Sequence, residues 1–334
     1  MKSPLAFHNG KFKLMVFSDA HAALTGIDPR TMAALEALLD AEKPDFIVIN
    51  GDLSKGTIDS AEAFENFAAA FIKPIEERGI YWCHTYGNHD EQYITDPSLN
   101  KEYQQKVWQS FPHCLSERGP ENVPGVGNYV LNILSSDQSQ PVFRIWALDS
   151  LMYLTNHEQF RKDDKLAFHY PNNPFGDTNY DFMKFEQVEW YYHRSMDLEQ
   201  ECGRKIPGLM FFHMALPEHR LIPAHPKGTG MVGECNEPIC NSPINSGMFA
   251  AILQRGDIRG VFVGHDHIND FVGELYGIQL GFDAGLGFTT YGMKNAENDQ
   301  QRHFMRGARF FDIDEQDPAN YRTYMRYARE FGIY

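Results

Sequence analysis

Apolar and polar positions fall along the chain in blocks of two kinds. Short blocks at 12–17, 46–49, 80–86, 208–212 and 260–263 are mostly apolar, β-branched or aromatic, and turn formers bound them. Such runs predict buried strands. Longer blocks carry helical spacing. Met32, Leu35, Leu38 and Leu39 predict a helix over 29–41, with Pro29 suited to its first turn. Phe64, Phe67, Phe71 and Ile75 share one face of a predicted helix over 60–78, with Ser60 as its N-cap. Strand and helix alternate here, which predicts βαβ units with parallel pairing and right-handed crossovers.

The middle and end are less regular. The pattern predicts a helix at 101–111, antiparallel strands at 128–134 and 142–148, and helices at 185–199 and 249–255. Further strands are expected at 270–274, 278–282 and 308–313. The segment 151–180 is rich in Asn, Asp, Pro and Tyr and reads as a long surface loop. The segment 216–246 is rich in Pro and Gly and reads as another. The charged, aromatic tail 314–334 is expected to dock as a helix. No repeat or linker breaks the pattern, so the expectation is an α/β chain with one domain over 1–334 and inserted loops at 151–180 and 216–246.

Composition narrows the function. A hydrophobic share of 43% over 334 residues supports a packed core. The formal net charge of −15 disfavours generic binding to nucleic acid or anionic membranes. A phosphate substrate stays open, because bound divalent ions reverse the field locally. No apolar run reaches the length of a membrane span, and residues 1–13 lack a secretory core, so a soluble cytoplasmic protein is expected. The five cysteines have no CxxC spacing and read as free thiols; a Cys235–Cys240 bridge is the lesser alternative.

The chemistry lies directly after the five strands. There stand Asp19-Ala20-His21, Gly51-Asp52, Gly87-Asn88-His89-Asp90, His213 and Gly264-His265-Asp266-His267. Ligands of open α/β sheets collect outside the carboxyl ends of strands. Singly these motifs say little, since Gly and Asp also make ordinary turns. Together and in this order they predict a metal site. Asp19, Asp52 and Asn88 offer oxygen, and His21, His213, His265 and His267 offer imidazole. This thiolate-free set suits Zn, Mn or Fe. It exceeds what one open catalytic ion needs, typically about three protein ligands. A pair of ions sharing one carboxylate uses it fully. His89 and Asp90 remain as an acid and its orienter.

Other residues have two readings each. His84 reads as a packed core histidine. His219 and His225 either line the pocket or sit on the loop surface. Asn245-Ser246-Gly247 reads as a helix start or as a phosphate contact. Tyr153, Tyr170, Phe175 and Tyr180 either stack on a substrate or anchor their loop.

With these motifs, and with Gly127-Asn128-Tyr129, Leu148-Asp149-Ser150 and the stretches 211–218 and 264–271, the sequence resembles the calcineurin-like metallophosphoesterases, in their purple-acid-phosphatase-like branch. The resemblance spans about residues 12–313. It implies a four-layer α/β/β/α sandwich of two mixed sheets flanked by helices. It also implies that Asp19, His21 and His267 bind one metal, that Asn88, His213 and His265 bind the other, and that Asp52 bridges both. His89 would stand beside the leaving-group oxygen with Asp90 orienting its ring. The chain departs from purple acid phosphatases at Lys55, where they carry a tyrosine that ligates ferric iron. Two divalent or mixed-valence ions of Zn, Mn or Fe are therefore expected, with identity open. The expected activity is metal-dependent phosphoric ester hydrolysis, first on monoesters of small metabolites or phosphoproteins. A phosphodiesterase is the alternative, and a metal-bound non-catalytic scaffold a more distant one.

Overall fold

A computed structural model describes residues 4–56, 58–92, 94–154 and 180–334. The first sheet has the order β13-β12-β1-β3-β5. It consists of β1 (Lys11–Phe17), β3 (Phe46–Asn50), β5 (Tyr81–Thr85), β12 (Gly307–Asp314) and β13 (Arg322–Tyr327). The strands β1, β3 and β5 run parallel, and β12 and β13 add antiparallel at one side. The second sheet has the order β10-β11-β9-β8-β7-β6. Its strands are β6 (Tyr129–Leu134), β7 (Pro141–Ala147), β8 (Gly208–Phe211), β9 (Ile258–Val263), β10 (Val272–Leu275) and β11 (Ile278–Phe282). The inner four are parallel, and β6 and β10 close the two edges antiparallel. The two-residue strands β2 (Ala22–Ala23) and β4 (Ser54–Lys55) pair beside the first sheet.

The central strands are mostly apolar because both of their faces are covered. Successive residues point to opposite sides of a sheet. Phe12, Leu14 and Val16 of β1 thus join Phe46 and Val48, Leu209 and Phe211, and Phe262 in the layer between the sheets. Met15 and Phe17, with Ile47 and Ile49, face outward to α1 (Pro29–Glu42), α2 (Ala61–Glu77) and α4 (Lys101–Gln109). On the other side Met210, Phe212, Val261 and Val263 pack under α5 (Phe185–Cys202) and α7 (Met248–Arg255). The result is the expected α/β/β/α sandwich. Asp28 and Ser60 accept the first-turn N–H groups of α1 and α2, which starts both helices.

The tail corrects the sequence reading. It holds strand β13, not a helix, and only a 3-10 turn follows at Ala328–Phe331. Its charge hid the strand. Tyr324 stacks on Phe310 at 5.8 Å, and its hydroxyl donates to Glu42, so pairing with β12 sets the conformation. The loop 216–246 is also not wholly irregular: it opens with a 3-10 turn, Pro217–Arg220, and α6 (Leu221–Ala224). All five cysteines are free, including Cys235 and Cys240. Tyr170, Phe175 and most of the predicted 151–180 loop lie outside the described residues. No helix among the described residues is long and apolar enough to cross a membrane.

Candidate metal centre

Every one of the five motifs stands just past a strand, His89 and Asp90 opening the short helix α3 (His89–Gln92), and the segments are tied to each other. Asp19 N–H donates to Gly51 O and His21 N–H to Asp52 O, both at 3.0 Å. On the second sheet, Gly264 N–H donates to His213 O at 3.0 Å. The sheets are joined where His265 N–H donates to Asp19 Oδ2 at 2.9 Å. These tight turns leave Asp19, His21, Asp52 and His265 with φ of 52°, 42°, 52° and 73°. A left-handed L-residue costs about 1–2 kcal/mol. Such strain persists where surrounding structure over-determines it, and it clusters at functional sites.

The side chains converge. Possible ligand atoms of Asp19, His21 and His267 lie within 4.8 Å of one another, as do those of Asp52, His213 and His265. A third such group, His21, Asp52 and His89, overlaps both. Asp52 Oδ2 is 3.0 Å from His213 Nε2 and 3.6 Å from His21 Nε2, so this carboxylate lies between the two clusters. Asp19 Oδ1 is 3.2 Å from His267 Nε2 and 3.5 Å from His21 Nε2.

Neighbours fix which atom of each ligand faces inward. His213 Nδ1 bonds the carbonyl of Asn50 at 2.8 Å, and His267 Nδ1 meets Thr290 Oγ1 at 3.1 Å, leaving both Nε2 atoms for the centre. Asp19 Oδ2 accepts from Ser18 Oγ, and Asp52 Oδ1 accepts from the His89 N–H at 2.8 Å. The other oxygens, Asp19 Oδ1 and Asp52 Oδ2, are buried without a hydrogen-bond partner, as are Asn88 Oδ1 and His213 Nε2. Buried polar atoms are normally satisfied. Carboxylate oxygens buried among imidazoles fit a cation, and oxygen and imidazole donors fit a borderline or hard ion.

Charge agrees. Burial opposes ionisation of Asp19, yet the imidazoles of His267 and His213 outweigh it and hold the carboxyl well below the usual range. Asp52 is lowered against burial by His213 and His89 in the same way. Burial would keep His213 neutral, but Asp52 and Asp19 raise its pKa to about 10. Burial and His213 push His265 down to about 3, so this ring stays a neutral donor. The pocket calls for positive charge beside its two carboxylates.

Asp90 turns both carboxylate oxygens to the main chain. Its Oδ2 accepts N–H from Gly87 and Asp52 at 2.8 and 2.9 Å, and its Oδ1 accepts from Leu53 and Ser54 at 3.0 and 3.2 Å. It therefore holds the Gly51-Asp52 turn against the Asn88 turn. The His89 ring packs edge-on to His21 at 4.9 Å, and burial lowers its pKa. His84 is a core histidine on Ser116, as expected. His219 is wholly buried against Phe282 and His225 is exposed. Asn245 caps the Gly247 N–H at the start of α7 and bonds Glu218. Ser18, Thr290 and the Tyr291 ring stacked on His267 at 4.1 Å went unpredicted. Only the adjacency of Ser18 to Asp19 offered a signal.

A double-sheet sandwich with clusters of buried Asp and His at its strand ends has groups that could hold metal ions. Comparison with known proteins gives the family. The family model for calcineurin-like phosphoesterases matches residues 12–269, and the chain belongs to that family. It is 32% identical over 311 residues to a probable inactive purple acid phosphatase 14 of Arabidopsis thaliana, covering 85% of this chain and 72% of that protein. It is 28% identical over 287 residues to the phosphatase DCR2 of Saccharomyces cerevisiae, covering 78% of this chain and 45% of that protein. Among solved structures it resembles a dimetal phosphatase from Danio rerio, with TM-score 0.50 and 16% identity, covering 82% of this chain and 87% of that one. At that identity the likeness speaks for the fold.

Proposed function

We propose that the chain is a two-metal phosphoesterase acting on phosphomonoesters, with a phosphorylated small molecule or phosphoprotein as substrate. The observation that carries this reading is the convergence of Asp19, His21 and His267, and of Asp52, His213 and His265, at the strand ends, with Asp19 Oδ1 and Asp52 Oδ2 buried among these rings. Asp19, His21 and His267 would hold the first ion, Asn88, His213 and His265 the second, and Asp52 both. When bound, such a pair lowers the pKa of water toward neutrality and offsets the charge of a phosphoryl group.

The chain's own residues do the rest. Two aspartates against two dications leave the shell about two units positive. That excess matches a dianionic monoester better than a monoanionic diester. The His89 N–H aligns Asp52, and its ring, packed beside His21, would give a proton to the leaving oxygen. Asp90 keeps both metal-binding turns in register through its four backbone contacts. The relatives of this chain carry contrasting names: three are called probable inactive purple acid phosphatases and one a phosphatase. The complete ligand set in this chain supports the active reading.

The test is reconstitution of metal-depleted protein with Mn, Zn or Fe ions, followed by assay on p-nitrophenyl phosphate and its bis ester. Two ions per chain and faster turnover of the monoester are expected. Faster bis-ester turnover would make it a diesterase. A single ion with no turnover of either would refute the reading.

A further inference from the structure

We propose that Tyr153 is a positioning residue for the second ion, its phenol holding the Asn88 amide so that Oδ1 faces the cation. The inference rests on the two-ion reading above. Asn88 is buried, and its Nδ2 donates to the Tyr153 hydroxyl at 3.1 Å. An amide has one donor end and one acceptor end, and only the oxygen ligates a cation. With the nitrogen engaged, Oδ1 is the end left buried and without a partner.

A buried polar network delivers Tyr153 to this place. Lys101 Nζ meets both carboxylate oxygens of Asp149 at 3.0 Å. The same carboxylate accepts the N–H groups of Val126 and Leu151 at 3.0 and 2.9 Å, and Leu151 takes a left-handed φ of 66°. Gln187 Nε2 donates to Asn128 Oδ1 and to the Asp149 carbonyl. Ser150 Oγ accepts from Met214 N–H, one residue past His213. The motifs at 127–129 and 148–150, which supply no ligand, thus set the turn that carries Tyr153.

A second tyrosine completes the arrangement. Tyr180 pairs with Tyr153 across an antiparallel bridge, and their rings stack at 5.6 Å. The Tyr180 ring also meets His265 edge-on at 4.4 Å. One tyrosine addresses Asn88 and the other His265, both from the second ligand set. The flanking Met152 and Leu154 are buried and anchor the turn.

Tyr153→Phe keeps the ring stack and removes the hydroxyl. Mn²⁺ titration of the metal-depleted protein, with free Mn²⁺ read by electron paramagnetic resonance, should show one of two dissociation constants raised about 10–100-fold. The other constant and the melting temperature of the metal-free protein should not move. Asn88→Ala should abolish the same binding step, and adding Tyr153→Phe to it should change nothing more. Two unchanged constants, or two weakened together with a lower metal-free melting temperature, would overturn the proposal alone. A wild-type chain that takes up a single Mn²⁺ would overturn the two-ion reading, and this proposal with it.

Discussion

A methyl group at position 87 would collide with the Asp52 carboxylate. A Cβ built on Gly87 lies 2.1 Å from Asp52 Oδ1 and 2.6 Å from Asp52 N, so the turn must shift. Gly87→Ala should weaken metal binding about tenfold or more with the fold retained, as checked by metal titration and circular dichroism. Gly26→Ala is the control, since nothing lies within 4 Å of its Cβ. His89→Gln should slow alkyl phosphate esters about 10²–10⁴-fold. A p-nitrophenyl ester, whose leaving group needs no proton, should lose far less, and equal losses would remove the proton-donor role. At this scale the ligand types were legible, because oxygen and imidazole donors follow apolar runs. Their supports were not. Asp90 turns its carboxylate to four backbone N–H groups, which its place beside His89 in sequence does not show. His219 sits in a proline-rich stretch that reads as surface, but a short helical turn drives it into the core.

Helix α4 and the end of β7 are held together by the buried pair Lys101–Asp149, whose side chains are 7% and 0% exposed. Removing one partner of such a pair leaves an uncompensated charge and costs about 3–5 kcal/mol. Lys101→Met should lower the unfolding free energy at the lower end of that range, because the N–H groups of Val126 and Leu151 still solvate the carboxylate. Urea denaturation at neutral pH measures it, and a loss under about 0.5 kcal/mol would contradict the buried charge. Among the elements, the five ligand-bearing strands and the helices at Pro29–Glu42 and Ala61–Glu77 were legible from periodicity. Strand β13 was not, since its residues are only half buried and tertiary pairing decides their conformation. The two-residue strands β2 and β4 are too short to leave a pattern.

Acid should destabilise the whole molecule through histidines remote from the ligands. Burial lowers His84 to about 3 and His219 to about 4. Unfolded, each titrates near 6.5. Between those values the unfolded chain binds a proton that the native chain does not. The stabilising contribution is therefore whole above about pH 6.5 and shrinks as pH falls, by up to about 1.4 kcal/mol per unit for each ring until the native ring protonates. His219→Met should make the stability curve between pH 6.5 and 5 shallower by about one proton, as read from urea midpoints. Parallel curves for variant and wild type would exclude this source. The layering of the molecule was implied by the family resemblance of its motifs, while apolar patterning alone gave buried strands alternating with helices. The strand order was not legible: the placement of β12 beside β1 joins residues some 300 apart, and no local pattern encodes it.

Each ligand cluster draws on both sheets: Asp19 and His21 meet His267, and Asp52 meets His213 and His265. An ion seated there acts as a rivet through the sandwich. Assembly of the rivet hole requires both halves of the polypeptide to be in place, so no fragment carrying a single sheet can retain it. A chelator should accordingly loosen the molecule as a unit, lowering its melting point by an amount that grows with the affinity of the ion removed.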